Sequence, residues 1–230
     1  MSNPIQVYLS CFNEEGSISN NIHETLNAVS RYNCEVIVVD NASTDTTADL
    51  VKRLQGKYSK LRLIQLERNM GYSGSVFAAI KDAKAENIVI LDGDLQFPPC
   101  YIEQLIIERR KGFELVFVER INLVGSPGRK IASRFFIRLL KILVSFPHRD
   151  INGGMRLLSR SFYSQISAMN QGRLANVELW WRASRNKIPY SFVPIKPRNR
   201  LSGKSSIPWR RPIKLLIESI VEIQGIKKLN

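Results

Sequence analysis

Two aspartates separated by one residue, Asp92 and Asp94, follow an apolar run in the segment LDGDLQFPP (91–99). Carboxylates this close repel each other, and burial removes their hydration, unless a cation lies between them. Mg²⁺ or Mn²⁺ would relieve the repulsion and bridge the carboxylates to substrate phosphates, and Gln96 could add a neutral oxygen. A solvated turn is the alternative interpretation, because an isolated Asp-x-Asp also arises by chance.

Polar residues also follow three other short apolar runs in the first hundred residues. In chain order, these groups are Asn13, Glu14 and Glu15; Asp40, Asn41, Ser43 and Asp45; and Arg68, Asn69 and Gly71. If the runs are parallel strands, their carboxyl ends meet at one edge of the sheet, where α/β proteins bind ligands. The pattern therefore predicts one polar site built from four strand ends.

The four runs have the length and β-branched content of strands, and three of them are nearly unbroken apolar runs, as expected when both faces are covered. They are IQVYL at 5–9, EVIVV at 35–39, LRLIQL at 61–66 and NIVIL at 87–91. Apolar residues at helical spacing lie between them, as in the series Ile18, Ile22, Leu26 and Val29. This βαβαβαβ order predicts an α/β fold with a mostly parallel sheet and helices on both faces.

The later residues predict a further helix at 102–111, strands at 114–118 and 190–195, and amphipathic helices at 131–144 and near the C-terminus. We expect one domain over residues 1–205 and an amphipathic helix within 206–230 that faces a membrane or a partner. No run approaches the roughly 18 apolar residues of a membrane span, and the N-terminus is unlike a signal peptide. Three cysteines without metal-ligand spacing favour a reduced, cytoplasmic protein.

Charge is distributed unevenly along the 230 residues, whose formal net charge is +14. Residues 1–99 carry 9 Lys+Arg and 12 Asp+Glu, a net of −3, whereas residues 100–230 carry 25 and 8, a net of +17. An anionic partner is therefore expected on the C-terminal side: nucleic acid, a lipid surface or a phosphorylated substrate.

Six motifs in fixed order carry a family resemblance. They are FNEE (12–15), VVDNASTDTT (38–47), ERNMGYSG (67–74), LDGDLQFPP (91–99), DINGGMRLLSR (150–160) and RLSGKSS (200–206). In this order they resemble the inverting family-2 glycosyltransferases of GT-A fold, a Rossmann-like architecture. Within that family the chain is most similar to the polyprenyl- and dolichyl-phosphate sugar synthases.

The resemblance implies roles for residues at the strand ends. The nucleotide of a UDP- or GDP-sugar would be bound by the residues Ser10, Phe12, Glu14, Asp40, Asn41 and Asp92, and Mg²⁺ or Mn²⁺ by Asp92, Asp94 and Gln96. The chain departs from the family at Gly154, where many relatives carry a carboxylate in a GDFRL run. This leaves Asp150 as the main acid of that segment.

A lipid-phosphate acceptor would be an anionic nucleophile that needs orientation and no deprotonation. Arginine suits this role because its planar fork matches phosphate oxygens. The candidates for binding the acceptor phosphate are Arg120, Arg129, Arg134, Arg200 and Ser205. We expect catalysis to depend on Asp94, Asp150, Arg129 and Arg200, through one in-line displacement. The family resemblance implies that this displacement inverts the anomeric centre.

The two amphipathic stretches combine apolar residues with Lys and Arg, which is typical of helices that lie on anionic membranes. We expect peripheral attachment to the cytoplasmic face, aided by a membrane-protein partner or by homo-oligomerisation. Ordinary core-packing helices have the same periodicity and are the alternative.

Two rival functions remain open. A saccharide hydroxyl acceptor would need a general base, for which Asp150 and Glu178 are the candidates. A basic nucleic-acid-binding module is the more distant alternative, because the acidic strand ends would repel phosphate unless a metal intervened. We therefore expect no nucleic-acid partner.

Overall fold

The computed structural model describes residues 4–121, 127–147, 150–170, 172–199 and 212–228, with backbone only for residues 127–130, 132 and 212–216. The strands are β1 (Ile5–Cys11), β2 (Cys34–Asp40), β3 (Leu61–Gln65), β4 (Asn87–Asp92), β5 (Leu115–Arg120), β6 (Met155–Ser159) and β7 (Tyr190–Ile195). The helices are α1 (Ile18–Ala28), α2 (Thr47–Gln55), α3 (Gly71–Asp82), α4 (Ile102–Arg110), α5 (Pro127–Val144), α6 (Arg160–Tyr163), α7 (Ala175–Arg185) and α8 (Pro212–Lys228).

The first four strands are parallel and alternate with helices, which confirms the predicted βαβαβαβ order. β1 lies between β2 and β4, and its Leu9 is in register with Val38 and Leu91. All three of these side chains are buried. Because α1, α2 and α3 cover the two faces, the central strands are apolar on both sides, as their sequences predicted.

The second half of the sheet is mixed. The strand order is β3-β2-β1-β4-β6-β5-β7, in which β6 runs antiparallel to both β4 and β5, and β7 runs parallel to β5. Strand β6 was missing from the sequence-based prediction, because Arg156 interrupts the short apolar run MRLLS. The structure buries that arginine completely.

Two apolar layers, one on each face, hold the helices on the sheet. One contains residues of α3, α5, α7 and α8, and the other contains residues of α1, α2 and α4. The predicted α/β architecture with helices on both faces is therefore confirmed. The layers fix the helices relative to the strand ends that carry the candidate site.

Helix α8 falls within the predicted C-terminal segment, and its residues Ile223 and Ile226 are buried in the same layer as α7. The proposed boundary at residue 205 lies outside the described residues and stays a prediction. None of the helices in the described ranges combines the length and the hydropathy that a bilayer-spanning segment requires.

Candidate functional site

The carboxyl ends of β1, β2 and β4 lie side by side. Ser10 is in register with Asp92, and Cys11 is in register with Asp40. Beyond the strands, the amide of Gly93 donates to the carbonyl of Ser10 at 2.7 Å. The structure thus brings together the polar residues that the sequence placed after separate strands.

At the end of β2, two buried side chains fix the surrounding loops. Asp40 Oδ1 accepts a hydrogen bond from the amide of Ser43 at 3.1 Å. Asn41 Oδ1 accepts from the amide of Met70 at 2.8 Å, and its Nδ2 donates to the carbonyl of Gly71 at 3.1 Å. Asn41 therefore joins the end of β2 to the beginning of α3.

The segment after β1 presents an aromatic ring beside this edge. The side chain of Phe12 is exposed, whereas Glu14 is buried and its carboxylate accepts from Ser17 Oγ at 2.9 Å. Ser10 Oγ lies 2.6 Å from Ser75 Oγ on α3. Of the three residues expected to bind nucleotide here, Phe12 is the one whose side chain is open to a ligand such as a base.

Asp92 and Asp94 stand on a sharp turn at the end of β4. Leu95 has a φ of 56°, and the amide of Gln96 donates to Asp94 Oδ1 at 3.1 Å. Asp94 is only 9% exposed, and Asp92 is half-buried. The backbone carbonyl of Gln96 accepts from the amide of Arg198, which attaches the segment after β7 to this turn.

The acidity of Asp92 reflects its surroundings. Burial raises the pKa of Asp92, the charge of Arg156 opposes this rise, and the negative charge of Asp94 adds to it, so that the resulting pKa is about 7. A carboxyl group with this balance favours a proton or a metal cation beside it. The pair therefore has the electrostatic character of a cation site.

The described residues fit a divalent cation that takes part of its ligands from a substrate. They contain no cluster of three or more His, Cys, Asp and Glu side chains that could enclose a metal. Asp92 and Asp94 would supply two carboxylates, and Mg²⁺ characteristically completes such a site with water and phosphate oxygens. The fit is thus to a cation bound together with a phosphorylated ligand.

Two residues that the sequence analysis did not select contact the side chain of Asp92, and a third binds one of them. The hydroxyl of Tyr72 donates to Asp92 Oδ1 at 3.0 Å, and Arg156 Nη2 lies 3.7 Å from the same oxygen. Asn176, on α7, accepts a hydrogen bond from Arg156 Nη1. The signal that could have revealed them was a charged residue inside an apolar run, since buried arginines need nearby partners.

Both candidate general bases are bound to arginines. Asp150 accepts two hydrogen bonds from Arg120, at 2.6 and 2.9 Å. Glu178 accepts from Arg182 Nη2 at 2.8 Å and from the amide of Asn170 at 2.9 Å. Asp150 and Glu178 are both almost fully buried.

The other candidates for binding the acceptor phosphate either lie on α5 or fall outside the described residues. Arg134 is exposed on α5, and the backbone of Arg129 belongs to the same helix. The side chain of Arg129 lies outside the described residues, as do Arg200 and Ser205. Their expected roles stay predictions.

An open cleft of about 420 Å³ lies at the beginning of α3. It is lined by Arg68, Asn69, Met70, Gly71, Gly172 and Arg173. Tyr72, which follows the lining residue Gly71, donates the hydrogen bond to Asp92. The cleft adjoins the carboxyl edge of the sheet, and the volume of the cleft lies in the range of small-molecule sites.

Comparison with known proteins places the chain in a family. Residues 6–167 match the family described as Glycosyl transferase family 2. The undecaprenyl-phosphate 4-deoxy-4-formamido-L-arabinose transferase of Pseudomonas fluorescens (strain Pf0-1) is 30% identical over 219 residues, which cover 94% of this chain and 64% of that protein. The uncharacterized glycosyltransferase YkcC of Bacillus subtilis (strain 168) is 24% identical over 231 residues, which cover 96% and 69%.

The match covers only part of those proteins, since the chain spans 57% to 69% of the length of three curated relatives. Among solved structures, glucosyl-3-phosphoglycerate synthase from Mycobacterium tuberculosis, in complex with Mn²⁺, UDP and phosphoglyceric acid, superposes with a TM-score of 0.77. The two chains are 17% identical over 99% of this chain and 80% of that one, so they share a fold. The chain belongs to glycosyl transferase family 2, and its fold is the GT-A fold that its motifs predicted.

Proposed function

We propose that this protein is a metal-dependent, inverting glycosyltransferase that moves a sugar from a nucleotide-sugar to a polyprenyl phosphate. The observation that carries the proposal is the Asp92–Asp94 pair, held at the same carboxyl edge of the sheet as Asp40 and Asn41, with the end of β1 between them. Family membership and the mycobacterial structure, which contains UDP and Mn²⁺, support a nucleotide-sugar donor.

On the donor side, Asp92 and Asp94 would hold Mg²⁺ or Mn²⁺, and Gln96 would stand next to them. The cation, when bound, neutralises charge on the nucleoside diphosphate and so makes it a better leaving group. Phe12 has an exposed ring that can pack on the base. Asp40 and Asn41 fix the loops that line the nucleotide.

The choice between a hydroxyl acceptor and a phosphate acceptor depends on whether an acidic side chain can act as a general base. A hydroxyl acceptor needs a general base, and a base must be within hydrogen-bond reach of the proton that it takes. Asp150 and Glu178 are each engaged by an arginine and almost fully buried. A phosphate acceptor needs no base, because it is already ionised at neutral pH.

The reaction would be a single displacement. An oxygen of the acceptor phosphate forms a bond to the anomeric carbon while the bond from that carbon to the diphosphate oxygen breaks. The bonding electrons leave with the nucleoside diphosphate, and no proton has to be removed. The undecaprenyl-phosphate transferase among the relatives supports this acceptor class. Arg120, the last residue of β5, is the described acceptor candidate that lies at a strand end, where it pairs with Asp150.

Peripheral membrane attachment would bring the enzyme to such an acceptor. Three exposed apolar side chains, Ile131, Phe135 and Ile142, lie along α5 among the exposed cations Arg134, Arg138 and Lys141. Apolar residues flanked by Lys and Arg are typical of helices that bind anionic lipid surfaces. Helix α8 adds the exposed residues Ile217 and Val221.

An acceptor competition tests the proposed function. The protein is incubated with Mn²⁺, a panel of UDP- and GDP-sugars, a short polyprenyl phosphate and a mixture of oligosaccharides. We expect a glycolipid whose formation requires the phosphate. Transfer to a saccharide hydroxyl alone would contradict the acceptor assignment, and no transfer from any donor would contradict the enzymatic function.

A further inference from the structure

Arg156 is a fully buried arginine beside the candidate cation site. It belongs to β6, and its backbone is in register with Ile90 of β4, two residues before Asp92. Its Nη2 donates to the hydroxyl of Tyr72 at 2.7 Å, and its guanidinium carbon lies 5.3 Å from the centre of the Tyr72 ring. Among the described residues, its Nε has no hydrogen-bond partner.

A buried guanidinium is strongly unfavourable unless a negative charge compensates it. Asp92 is the carboxylate with which Arg156 pairs, at 3.7 Å, and Tyr72 lies between them through two hydrogen bonds. The hydroxyl of Tyr72 accepts from Arg156 and donates to Asp92. The tyrosine therefore links the arginine to the carboxylate, so that the position of Arg156 helps to fix the position of Asp92.

The two oxygens of Asp92 have different surroundings. Oδ1 receives the hydrogen bond from Tyr72 and faces Arg156. Oδ2 lies against Gly154, so closely that a Cβ atom on residue 154 would overlap it. Among the described residues, Oδ1 is the oxygen of Asp92 that accepts a side-chain hydrogen bond, and we therefore assign ligand binding to Oδ2.

Arg156 also helps to hold the loop that carries Gly154. Its Nη1 donates to Asn176, whose Nδ2 donates in turn to the carbonyls of Ile151 and Gly153 at 2.7 and 2.8 Å. The carbonyl of Gly154 accepts from the amide of Asp92 at 2.8 Å. The buried side chain of Arg156 thus helps to position the two groups that contact Asp92, which are Tyr72 on one side and the loop with Gly154 on the other.

We propose that Tyr72 and Arg156 are positioning residues that hold Asp92 in the orientation in which Oδ2 binds the divalent cation. The inference rests on the proposed function for the identity of the cation site. It adds a prediction about affinity, since residues that orient metal ligands commonly change metal affinity about 10- to 100-fold when they are removed.

The chain contains a matched control for this cluster. The hydroxyl of Tyr8 donates to Asp82 at 2.9 Å, and Asp82 is also paired with Arg62, which reproduces the same three residue types. Asp82 ends α3, ten residues after Tyr72, so about 15 Å of helix separates the two clusters. Removal of the Tyr8 hydroxyl should therefore leave the cation site unchanged.

The test compares Tyr72→Phe and Tyr8→Phe in the full chain. Mn²⁺ affinity is measured by calorimetry in the presence of UDP and without any acceptor substrate. The melting temperature of each variant is also recorded. We expect Tyr72→Phe to weaken Mn²⁺ binding about 10- to 100-fold and Tyr8→Phe to keep the wild-type affinity. Wild-type affinity in Tyr72→Phe would overturn the inference, as would equal losses in the two variants.

A second variant, Gly154→Ala, tests the same orientation without altering Tyr72 or Arg156, and serves if Tyr72→Phe fails to fold. Its Cβ would displace Oδ2, so weaker Mn²⁺ binding is expected here too. Unchanged binding in Gly154→Ala or Tyr72→Phe, with binding lost in Asp94→Asn, would overturn the inference and leave the proposed cation site intact. If the wild-type protein binds no Mn²⁺ with UDP, both the metal-dependent function and the inference are wrong.

Discussion

Arg120 binds Asp150 through two nitrogens, with Nε 2.6 Å from Oδ2 and Nη2 2.9 Å from Oδ1. The pair joins the end of β5 to Asp150, the main acidic residue of the motif at 150–160. Asp150 thereby orients an arginine at the edge of the sheet. This geometry suits an acceptor phosphate that arrives ionised, because the phosphate needs a positioned positive charge.

Substitution of Asp150 by Asn should affect acceptor binding more than chemistry. We expect a KM for polyprenyl phosphate raised about 10-fold, with kcat within about 10-fold of wild type, since Asn still accepts one hydrogen bond from Arg120. Steady-state kinetics with varied acceptor measure both constants. A loss of about 100-fold or more in kcat, with an unchanged KM, would instead identify Asp150 as a general base.

Removal of Arg120 should also destabilise the fold. Asp150 is almost fully buried, so Arg120→Ala leaves an unpaired carboxylate, at a cost of about 3 kcal/mol. The free energy of unfolding, from urea titration, measures this cost. Arg31→Ala is the control, because its pair with Glu103 is exposed and should contribute less than about 1 kcal/mol. Similar losses in the two variants would contradict this account.

Chelation of divalent cations should weaken nucleotide binding. If Asp92 and Asp94 bind UDP through a cation, EDTA should lower UDP affinity at least about 10-fold, because the uncompensated carboxylates repel the diphosphate. Calorimetry with and without EDTA, followed by addition of Mn²⁺, measures the effect. Equal UDP affinity under both conditions would contradict a metal-dependent donor site.

Stability should depend on pH through Asp82. Burial acts to raise the pKa of Asp82, but hydrogen bonds from Arg62 and Tyr8 outweigh it and hold the pKa below its usual value. The stabilisation is therefore complete above the unfolded pKa of about 3.9 and is lost as pH falls through the lower folded value. We expect Asp82→Asn to be less stable than wild type by about 1 kcal/mol at pH 7, since the pair is partly exposed.

The measurement is the urea midpoint of Asp82→Asn and wild type from pH 7 down to pH 3. The difference between the two proteins should be constant above about pH 5 and should shrink below about pH 4. A difference that grows as the pH falls has the opposite sign and would exclude the ion pair as its cause.

The apolar residues of α5 should determine binding to anionic membranes. Phe135→Ser together with Ile142→Ser should reduce the fraction of protein that floats with anionic liposomes, because both side chains are exposed and make little contribution to the core. Ile107→Ser, at an exposed position on α4, is the control. Flotation that is unchanged in the double variant would argue against α5 as the contact surface.

Much of the fold could be predicted from local pattern. The strands around Val38 and Leu91 are β-branched runs that are buried on both faces, and the polar residues after them identify the edge of the sheet. Strand β6 was missed, because its pairing with β4 and β5 joins segments more than 35 residues apart along the chain, and Arg156 breaks its pattern.

For a related reason, the sequence predicted the charged pair of the candidate site but not the residues that contact it. Asp92 and Asp94 stand out because like charges so close together need compensation. Tyr72 and Arg156 do not stand out, since their roles depend on contacts across α3, β4 and β6. Local sequence identifies a charged ligand pair but carries little information about the residues that orient it.

The most direct test of the central claim is the identity of the reaction product. Wild-type protein, Asp94→Asn and the exposed control Asp49→Asn are incubated with Mn²⁺, the active nucleotide-sugar and a short polyprenyl phosphate, and the product is identified by mass spectrometry and ³¹P–¹H NMR. We predict a sugar joined to the lipid phosphate with an inverted anomeric centre, formed by wild type and Asp49→Asn and lost in Asp94→Asn. A retained anomeric configuration, or full activity of Asp94→Asn, would contradict the account.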